Sequence, residues 1–204
     1  MSANQQTIIN HDIDRPVEGY VLITTPDAGI QREIAELQSM LNERFGGLVW
    51  NTPSSALHIT LMDWIAPLVD YGEKKKILFE EIFPSYNATF TEILKDYRSI
   101  TINFTKVVAA QGAIIVIGQD NGEFNDIRCR FLEKIKLPSN TKQPPAIIHS
   151  TIARYQKEAD LEPIIDFLAQ HPLVFTHQVN HFSLVREDIA PQLKYQLLEK
   201  YPLS

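Results

Sequence analysis

The sequence predicts an α+β protein of antiparallel strands with interspersed helices, arranged as two similar lobes that face each other within one compact unit. Short apolar runs rich in β-branched residues alternate with amphipathic helical segments. The order strand, helix, strand, helix, strand occurs twice along the chain. The interval from the middle of the first strand to a histidine in the next long strand is 36 residues in one half (Leu22 to His58) and 34 in the other (Ile115 to His149). The two halves barely match residue by residue, so the pattern is repeated rather than the sequence, and we expect an approximate twofold relation.

The elements of the first half follow from the spacing of its apolar residues. Strands are predicted where apolar residues form short runs, and helices where they recur every three or four positions. The glycines at 46 and 47 end the first helix, and Pro84 ends the next helical segment. In chain order the predicted elements are a strand at 19–25, a helix at 27–45, a short strand at 48–50, a strand at 56–64, helical segments at 73–83 and 87–95, and a strand at 99–109.

The second half repeats this order. Pro163 fits the first turn of its second helix, where a missing backbone N–H is tolerated. The predicted elements are a strand at 113–118, a helix at 121–137, a polar loop at 138–145, a strand at 146–153, a helix over 161–168, and closing strands at 173–186 and 193–198.

Residues 1–18 are polar and show no periodicity, so we expect an N-terminal tail followed by a single bilobal catalytic domain over 19–204. The tail contains His11, Asp12 and Asp14, but a loose solvated segment is a better interpretation than a metal site.

The composition is that of an ordinary globular protein, with 204 residues of which 44% are hydrophobic and 22% charged. A single cysteine excludes an intramolecular disulfide. No apolar segment is long enough for a signal peptide or a membrane span, so we expect a soluble, cytoplasmic protein and a monomer with no membrane partner.

The net charge of −6 argues against binding of long nucleic acid. Proteins that hold long nucleic acids usually carry a surplus of basic residues, because neutralising phosphates supplies most of the affinity. A small anionic ligand held by a few local groups remains compatible with this charge.

Two tripeptides carry the candidate chemistry: His58-Ile59-Thr60 and His149-Ser150-Thr151. Both lie in strand-like runs, where side chains two positions apart point to the same face. Each histidine therefore shares a face with its threonine. An approximate twofold axis would bring both faces to one cleft and surround a single ligand with two imidazoles and two hydroxyls.

This set of groups is suited to phosphoester chemistry. One neutral imidazole can take a proton from an attacking hydroxyl or water, and one imidazolium can give a proton to the leaving oxygen. The threonine hydroxyls can donate hydrogen bonds to the non-bridging phosphate oxygens. A 2′,3′-cyclic phosphate is an apt substrate because its ring already places the leaving oxygen. The arrangement requires no metal and no cofactor.

Three further residues are candidates for substrate binding. Strict alternation places Arg154 on the opposite face from Thr151, but a bulge or the end of the strand could turn it into the cleft, where it would meet a phosphate. Tyr155 and Trp64 keep the parity of the motif residues, so either could stack on a base or pack within its lobe.

The paired segments ALHITLMDW and AIIHSTIARY resemble the motif strands of the 2H phosphoesterase superfamily. This superfamily includes 2′,3′-cyclic phosphodiesterases and 2′-5′ RNA ligase-like proteins. The closing stretches FSLVRED and LKYQLLEKYPL are also similar to the last hairpin of the family. The resemblance covers residues 19–203 in layout, although its specific part is confined to the two motifs.

The resemblance implies a bilobal 2H phosphoesterase, or LigT-like, fold: pseudo-twofold antiparallel sheets with helices on the outside and a central cleft. It places the catalytic histidines of the family at His58 and His149, and the phosphate-binding hydroxyls at Thr60 and Thr151. The implied partner is a small nucleotide or an RNA end.

Three functional classes remain open. The first is a metal-independent hydrolase of cyclic phosphodiesters in nucleotides or RNA ends, including 2′-5′ or cyclic nucleotide bonds. The second is an RNA-end processing or 2′-5′ RNA ligase-type enzyme, which the acidic charge disfavours. The third is a catalytically silent nucleotide-binding module, which retention of all four motif residues disfavours.

Overall fold

The structure, a computed structural model, describes residues 5–203 and contains two antiparallel sheets. The strands are β1 (Pro16–Thr24), β2 (Val49–Asn51), β3 (Ile59–Ile65), β4 (Ile100–Ala109), β5 (Ala113–Gln119), β6 (Ile148–Tyr155), β7 (Phe175–Val179), β8 (His181–Ile189) and β9 (Lys194–Pro202). The helices are α1 (Ala28–Phe45), α2 (Lys75–Leu94), α3 (Glu123–Lys134) and α4 (Glu162–Gln170), with a 3₁₀ turn at Ser54–Ala56. The first sheet has the order β3-β1-β8-β9 and the second the order β2-β6-β5-β4-β7. The α+β class and the bilobal pseudo-twofold architecture are therefore confirmed.

The two halves of the sequence exchange elements between the sheets. Strand β2 from the first half pairs with β6 in the second sheet, and β8 and β9 from the second half complete the first sheet. The single strand predicted over 173–186 is wrong for this reason. The chain leaves the second sheet after Val179 and enters the first at His181. The sequence marks this crossing only by a change of phase, with two polar residues between Val179 and Phe182.

The helices cross between the lobes in the same way. Helix α1 follows β1 of the first sheet but packs against β2 and β6 of the second. Helix α3 follows β5 of the second sheet but packs against β3 and α2 on the first. Each motif strand is thus supported by a helix that belongs to the other half of the sequence.

Helix α2 is continuous, so the two segments predicted on either side of Pro84 are one helix. The proline lies on the outer side of the helix, and the backbone carbonyl whose hydrogen bond it removes can be hydrated. Aromatic side chains before and after it, Phe83 and Phe90, both pack on Trp64, which holds the two parts of the helix on one core. None of the helices within residues 5–203 is both long and apolar enough to cross a membrane.

The N-terminal segment is not a loose tail over its described part. The backbone N–H of Thr7 donates to the carbonyl of Ala159 at 2.9 Å, and that of Asn10 donates to Tyr155 at 2.9 Å, both beside the second sheet. The N–H of Asp14 then donates to Ala190 at 3.0 Å on the first sheet, and β1 begins at Pro16. The segment therefore bridges the two lobes. Residues 1–4 of the expected tail lie outside the described residues.

Candidate functional site

A β-bulge lies at the same position in both motif strands. In β3, Met62 pairs with Leu22 and Thr60 with Ile23, so Leu61 has no partner on β1. In β6, Ala153 pairs with Ile114 and Thr151 with Ile115, so Ile152 has no partner on β5. Leu61 and Ile152 are each three residues after the motif histidine. A bulge reverses the alternation beyond it, so the fifth residue after each histidine joins the histidine and threonine on the cleft face.

The reversal places opposite charges at equivalent positions. Asp63 follows His58 by five residues and Arg154 follows His149 by five, and both are half-buried on the cleft side. Arg154 therefore lies in the cleft, because the bulge reverses the alternation that would otherwise place it on the opposite face from Thr151. Asp63 is not among the candidate residues of the sequence analysis. It follows its histidine by five residues, as Arg154 does, and that shared spacing could have identified it.

Trp64 and Tyr155 point away from the cleft for the same reason. Both are 0% exposed. Trp64 stacks on Phe131 at 6.0 Å between ring centroids and meets Tyr86 edge-on at 5.4 Å, within the core beneath α2 and α3. The expectation that either side chain stacks on a base is wrong, because the bulge turns both into the core.

His58 lies one residue before β3 at the edge of the cleft. Its Nδ1 is 2.8 Å from the carbonyl oxygen of Ala56, so this nitrogen donates and Nε2 is left as the free acceptor of the neutral ring. The pKa of His58 is lowered to about 4, mainly because the ring is buried. The bond to Ala56 opposes this, and the positive charges of Arg154 and His149 contribute to it. His58 is therefore a neutral base at neutral pH.

His149 occupies the equivalent position on β6. Burial lowers its pKa, the hydrogen bond to the backbone of Ile147 opposes this, and the charges of Arg128 and Arg154 lower the pKa further. Strands β3 and β6 lie side by side where the two sheets meet. Because His149 and Arg154 both act on the pKa of His58, the structure brings all three groups within reach of one another's charge.

A cavity of about 180 Å³ opens beside His58. The polar side chains that line it include His58, Thr60, Asp63, Arg154, Glu187 and Gln192. His149 and Thr151 lie on the same face of β6 as Arg154, next to this cavity. His58, Thr60 and Arg154 line this cavity, whereas His149 and Thr151 are not among its lining residues. The contact between β3 and β6, and the effect of the His149 charge on the pKa of His58, put the second motif close to the first.

The wall opposite Arg154 is acidic. Burial raises the pKa of Asp63 to about 6, with Lys142 opposing, and burial also raises the pKa of Glu187, to which the charge of Asp63 adds. Gln192, which is 3% exposed, donates its backbone N–H to Glu187 at 2.7 Å, and its Oε1 has no partner. The bridging N-terminal segment adds Asp12 to the same cavity. The sequence gives no indication of Glu187 or Gln192 and places Asp12 in a solvated tail, since all three reach the cleft only through tertiary folding.

Arg154 faces this wall without a direct ion pair among the described residues. Its Nε is buried and has no hydrogen-bond partner. Glu187 and Asp12 act on it only at longer range. An anion in the cleft would supply the missing acceptor. Within residues 5–203, no three His, Cys, Asp or Glu side chains are grouped so that they could hold a metal ion.

Comparison with known proteins gives a family match and several structural neighbours. The sequence profile of the 2′-5′ RNA ligase superfamily matches residues 26–189. No curated protein sequence matches the chain.

Among solved structures, the chain is similar to TT0787 of Thermus thermophilus, with a TM-score of 0.63 and 19% identity over 91% of this chain and 97% of that one. It is also similar to Escherichia coli LigT complexed with 3′-AMP, with a TM-score of 0.64 and 15% identity over 92% and 99%. A structure described as a phosphoesterase aligns with a TM-score of 0.59 and 14% identity over 92% and 99%. At these identities the likeness shows a shared fold.

Proposed function

The chain belongs to the 2′-5′ RNA ligase superfamily, the 2H phosphoesterases, and from that premise we propose that it hydrolyses a cyclic phosphodiester of a nucleotide or an RNA end. The observation that supports this proposal is that His58 and Arg154 line one cavity and that the charge of His149, on the adjacent motif strand, acts on His58. Two imidazoles can perform both proton transfers of the reaction, so we propose a mechanism that needs no metal.

The free Nε2 of His58 suits it to the role of general base. In the proposed step it takes a proton from water while the water oxygen bonds to phosphorus. The bond between phosphorus and one ribose oxygen then breaks, and the imidazolium of His149 gives its proton to that oxygen. The products are a nucleoside monophosphate and a free hydroxyl, and the two histidines return to their starting states by exchange with solvent. Each proton transfer of this kind contributes roughly 10²–10⁴ in rate.

His149 must be protonated to act as the acid. The lowered pKa of its ring in the free protein arises from burial and from the charges of Arg128 and Arg154. A phosphodiester anion bound between the rings offsets those positive charges and raises the pKa. Substrate binding itself would then prepare the acid.

Thr60, Thr151 and Arg154 are proposed to hold the non-bridging phosphate oxygens. The hydroxyls donate hydrogen bonds, and the guanidinium supplies charge as phosphorus becomes five-coordinate. Among residues 5–203 the buried Nε of Arg154 has no hydrogen-bond partner, so a phosphate oxygen that reached it would not have to displace an existing bond.

The surroundings of the site favour a small substrate. The cavity of about 180 Å³ has room for part of a nucleotide. Asp12, Asp63 and Glu187 would repel further phosphates on that side. LigT, which shares the fold, has been crystallised with 3′-AMP and with phosphate, which supports nucleotide binding in a cleft of this kind.

The test is turnover by purified protein in excess EDTA. We expect hydrolysis of at least one member of a panel of 2′,3′-cyclic nucleotides, 2′-5′ dinucleotides, 3′,5′-cyclic nucleotides and short RNAs with a cyclic phosphate end. Dependence of all activity on an added metal would contradict the mechanism. Binding without turnover of any member would instead indicate a silent nucleotide-binding module.

A ligase-type activity is the second candidate, favoured by the description of the family. It also opens a cyclic phosphate, but the 5′-hydroxyl of a second RNA attacks phosphorus in place of water, the bond to the ribose 3′-oxygen breaks, that oxygen takes up the proton, and a 2′-5′ linkage forms. We expect hydrolysis to exceed joining, because the acidic cavity disfavours a second polyanionic chain. An assay with two RNA ends, one carrying a cyclic phosphate and one a 5′-hydroxyl, distinguishes the two products.

A further inference from the structure

The bulges in the two motif strands are held by a matching pair of buried side chains. Arg128 of α3 donates from Nε to the carbonyl of Leu61 at 2.8 Å and from Nη2 to the carbonyl of Thr60 at 3.1 Å. Gln38 of α1 donates from Nε2 to the carbonyl of Ile152 at 2.7 Å. Leu61 and Ile152 are the bulged residues at equivalent positions, and β3 has a further irregularity at Trp64. The carbonyl of Ile152 also accepts the backbone N–H of Thr52 at 2.9 Å, so Gln38 supplies a second hydrogen bond there. A bulge leaves backbone groups outside the regular ladder, and carbonyls buried there need donors from elsewhere.

Gln38 and Arg128 occupy equivalent positions in the two halves of the sequence, as the two His-x-Thr motifs do. Gln38 and Arg128 are 90 positions apart, and His58 and His149 are 91 positions apart. Both are almost fully buried, with Gln38 7% and Arg128 5% exposed. Both interrupt the apolar face of a helix that belongs to one half and supports the motif strand of the other half. Gln38 also donates to the carbonyl of Thr52 at 2.8 Å, which joins β2 to the same support.

We propose that Arg128 and Gln38 are equivalent positioning residues, each holding the bulge that aims the motif side chains of the other half into the cleft, and that their difference in charge makes the two histidines unequal. This inference rests on the proposed function for its consequences in catalysis, but the positioning itself can be measured without turnover.

The bulge is what places Asp63 and Arg154 on the cleft face with the threonines. If the support is lost, the strand can relax toward a regular ladder, and the residues after the bulge turn toward the core. A buried arginine is a costly support, since burial lowers the pKa of Arg128 to about 10. The equivalent position in α1 achieves the same bond with a neutral amide, so the charge at Arg128 is not needed for the hydrogen bond alone.

That charge faces His149. The charge of Arg128 lowers the pKa of His149, whereas Gln38 has none to act on His58. The charges of Arg128 from α3 and Arg154 from its own strand act on His149, and the charge of His149 acts in turn on His58. Ile117 pairs with His149 on β5 and Lys106 pairs with Ile117 on β4. Strand β3, which carries Thr60 and Asp63, lies beside β6. Arg128 is the cation among these that is also bonded to the first motif.

The test compares Arg128→Met, Arg128→Gln and Gln38→Met in the full chain. The two methionine variants remove the donors with little change in volume, and Arg128→Gln installs the side chain that α1 uses. Backbone amide NMR shifts should change at residues 60–63 in Arg128→Met and at 151–154 in Gln38→Met. A change confined to the helix that carries each substitution would overturn the positioning role.

Titration of the histidine rings by NMR provides the second readout. Removing the cation favours the imidazolium, so Arg128→Gln should raise the pKa of His149, while Gln38→Met should not. An unchanged His149 titration in folded Arg128→Gln would overturn the assignment of the charge. If Arg128→Met does not fold, Arg128→Gln and Gln38→Met still decide both points.

Kinetics connect the positioning to the proposed reaction. Arg128→Met should lower kcat at least about tenfold with a smaller change in KM, since misplacement of reacting groups affects the chemical step. Arg128→Gln should recover much of this loss at the pH optimum and shift the limb of the pH profile that reports His149. Wild-type kcat in folded Arg128→Met would overturn the role in catalysis. If the wild-type protein turns over no phosphodiester, the proposed function fails, but the NMR results still decide the inference.

Discussion

Replacing His58 by glutamine should make the protein more resistant to acid while abolishing its activity. The folded protein holds the pKa of His58 at about 4 because burial penalises the imidazolium. In the unfolded chain the pKa returns to about 6.5, so the unfolded state binds more protons between pH 6.5 and pH 4. His58 therefore does not reduce the free energy of unfolding above pH 6.5, where the ring is neutral in both states. It reduces that free energy progressively as the pH falls toward 4. Glutamine keeps a hydrogen-bonding side chain but cannot be protonated in this range.

The size of the effect follows from the gap between the two pKa values. A fall from about 6.5 to about 4 corresponds to about 3 kcal/mol of unfolding free energy. Wild type should lose this amount between about pH 7 and pH 4 through His58 alone, in addition to other groups, and His58→Gln should not. The free energies of unfolding are measured by urea denaturation from about pH 4 to pH 7.5.

The comparison is the difference between variant and wild type at each pH, which cancels the contributions of Asp63, Glu187 and other groups that titrate in both proteins. His171→Gln, at the end of α4 and outside the cleft, controls for loss of a histidine. Parallel stability curves for His58→Gln and wild type would refute the description of His58 as a buried neutral ring. Activity within about tenfold of wild type in His58→Gln would refute its role as the base.

Four further outcomes are expected. Thr60→Val should lower kcat by roughly 10²–10³, the usual effect of removing one donor to a developing oxyanion, measured on the best substrate of the panel; a change in KM alone would contradict that role. Arg154→Lys should bind inorganic phosphate more weakly than wild type in a calorimetric titration, because a lysine cannot reproduce the planar guanidinium; equal affinity would place the anion elsewhere. Asp63→Asn should improve kcat/KM for substrates that carry an additional phosphate relative to those that do not, since it removes one negative charge from the cavity; an unchanged ratio would show that this wall does not contact substrate. Trp64→Ala should lower the free energy of unfolding by about 3–5 kcal/mol in urea denaturation, as expected for a large core side chain, and a loss below about 1 kcal/mol would contradict its burial.

The architecture could be predicted from sequence because apolar periodicity survives in both halves. The strand and helix patterns around Leu22, His58, Ile115 and His149 are regular, and their similar spacing reflects a repeated unit. The helices that cover the sheets also show a single apolar stripe. Such local patterns are determined by burial on one face, which is visible in sequence.

The features that depend on tertiary pairing could not be predicted in this way. The bulges at Leu61 and Ile152 show in the sequence only as pairs of adjacent apolar residues, Leu61-Met62 and Ile152-Ala153. Simple alternation ignores such pairs, so it places Trp64 and Tyr155 on the cleft face and leaves Arg154 undecided. The continuity of α2 through Pro84 depends on aromatic packing across the helix. The crossing between sheets shows in the sequence only as a change of phase between Val179 and Phe182.

The residues of the candidate site also fall into two groups: those that local sequence patterns identify, and those that only long-range contacts bring to the cavity. The two His-x-Thr motifs are local and were found, whereas Glu187 and Gln192 reach the cavity from the end of β8 and the turn after it through long-range contacts. Arg128 and Gln38 interrupt apolar helix stripes, which is a signal that a careful inspection of each stripe can detect. A polar residue in such a position must find a partner inside the protein, and here both partners are backbone carbonyls of the motif strands.

The most direct test of the shared cleft is the rate of cyclic phosphodiester hydrolysis, in excess EDTA, by wild type, His58→Ala, His149→Ala and the double variant. If both rings act on one phosphodiester, each single variant loses at least about a hundredfold and the double variant loses little more, because groups that act as a unit are not additive. A wild-type rate in either single variant, or losses that multiply in the double variant, would contradict the account.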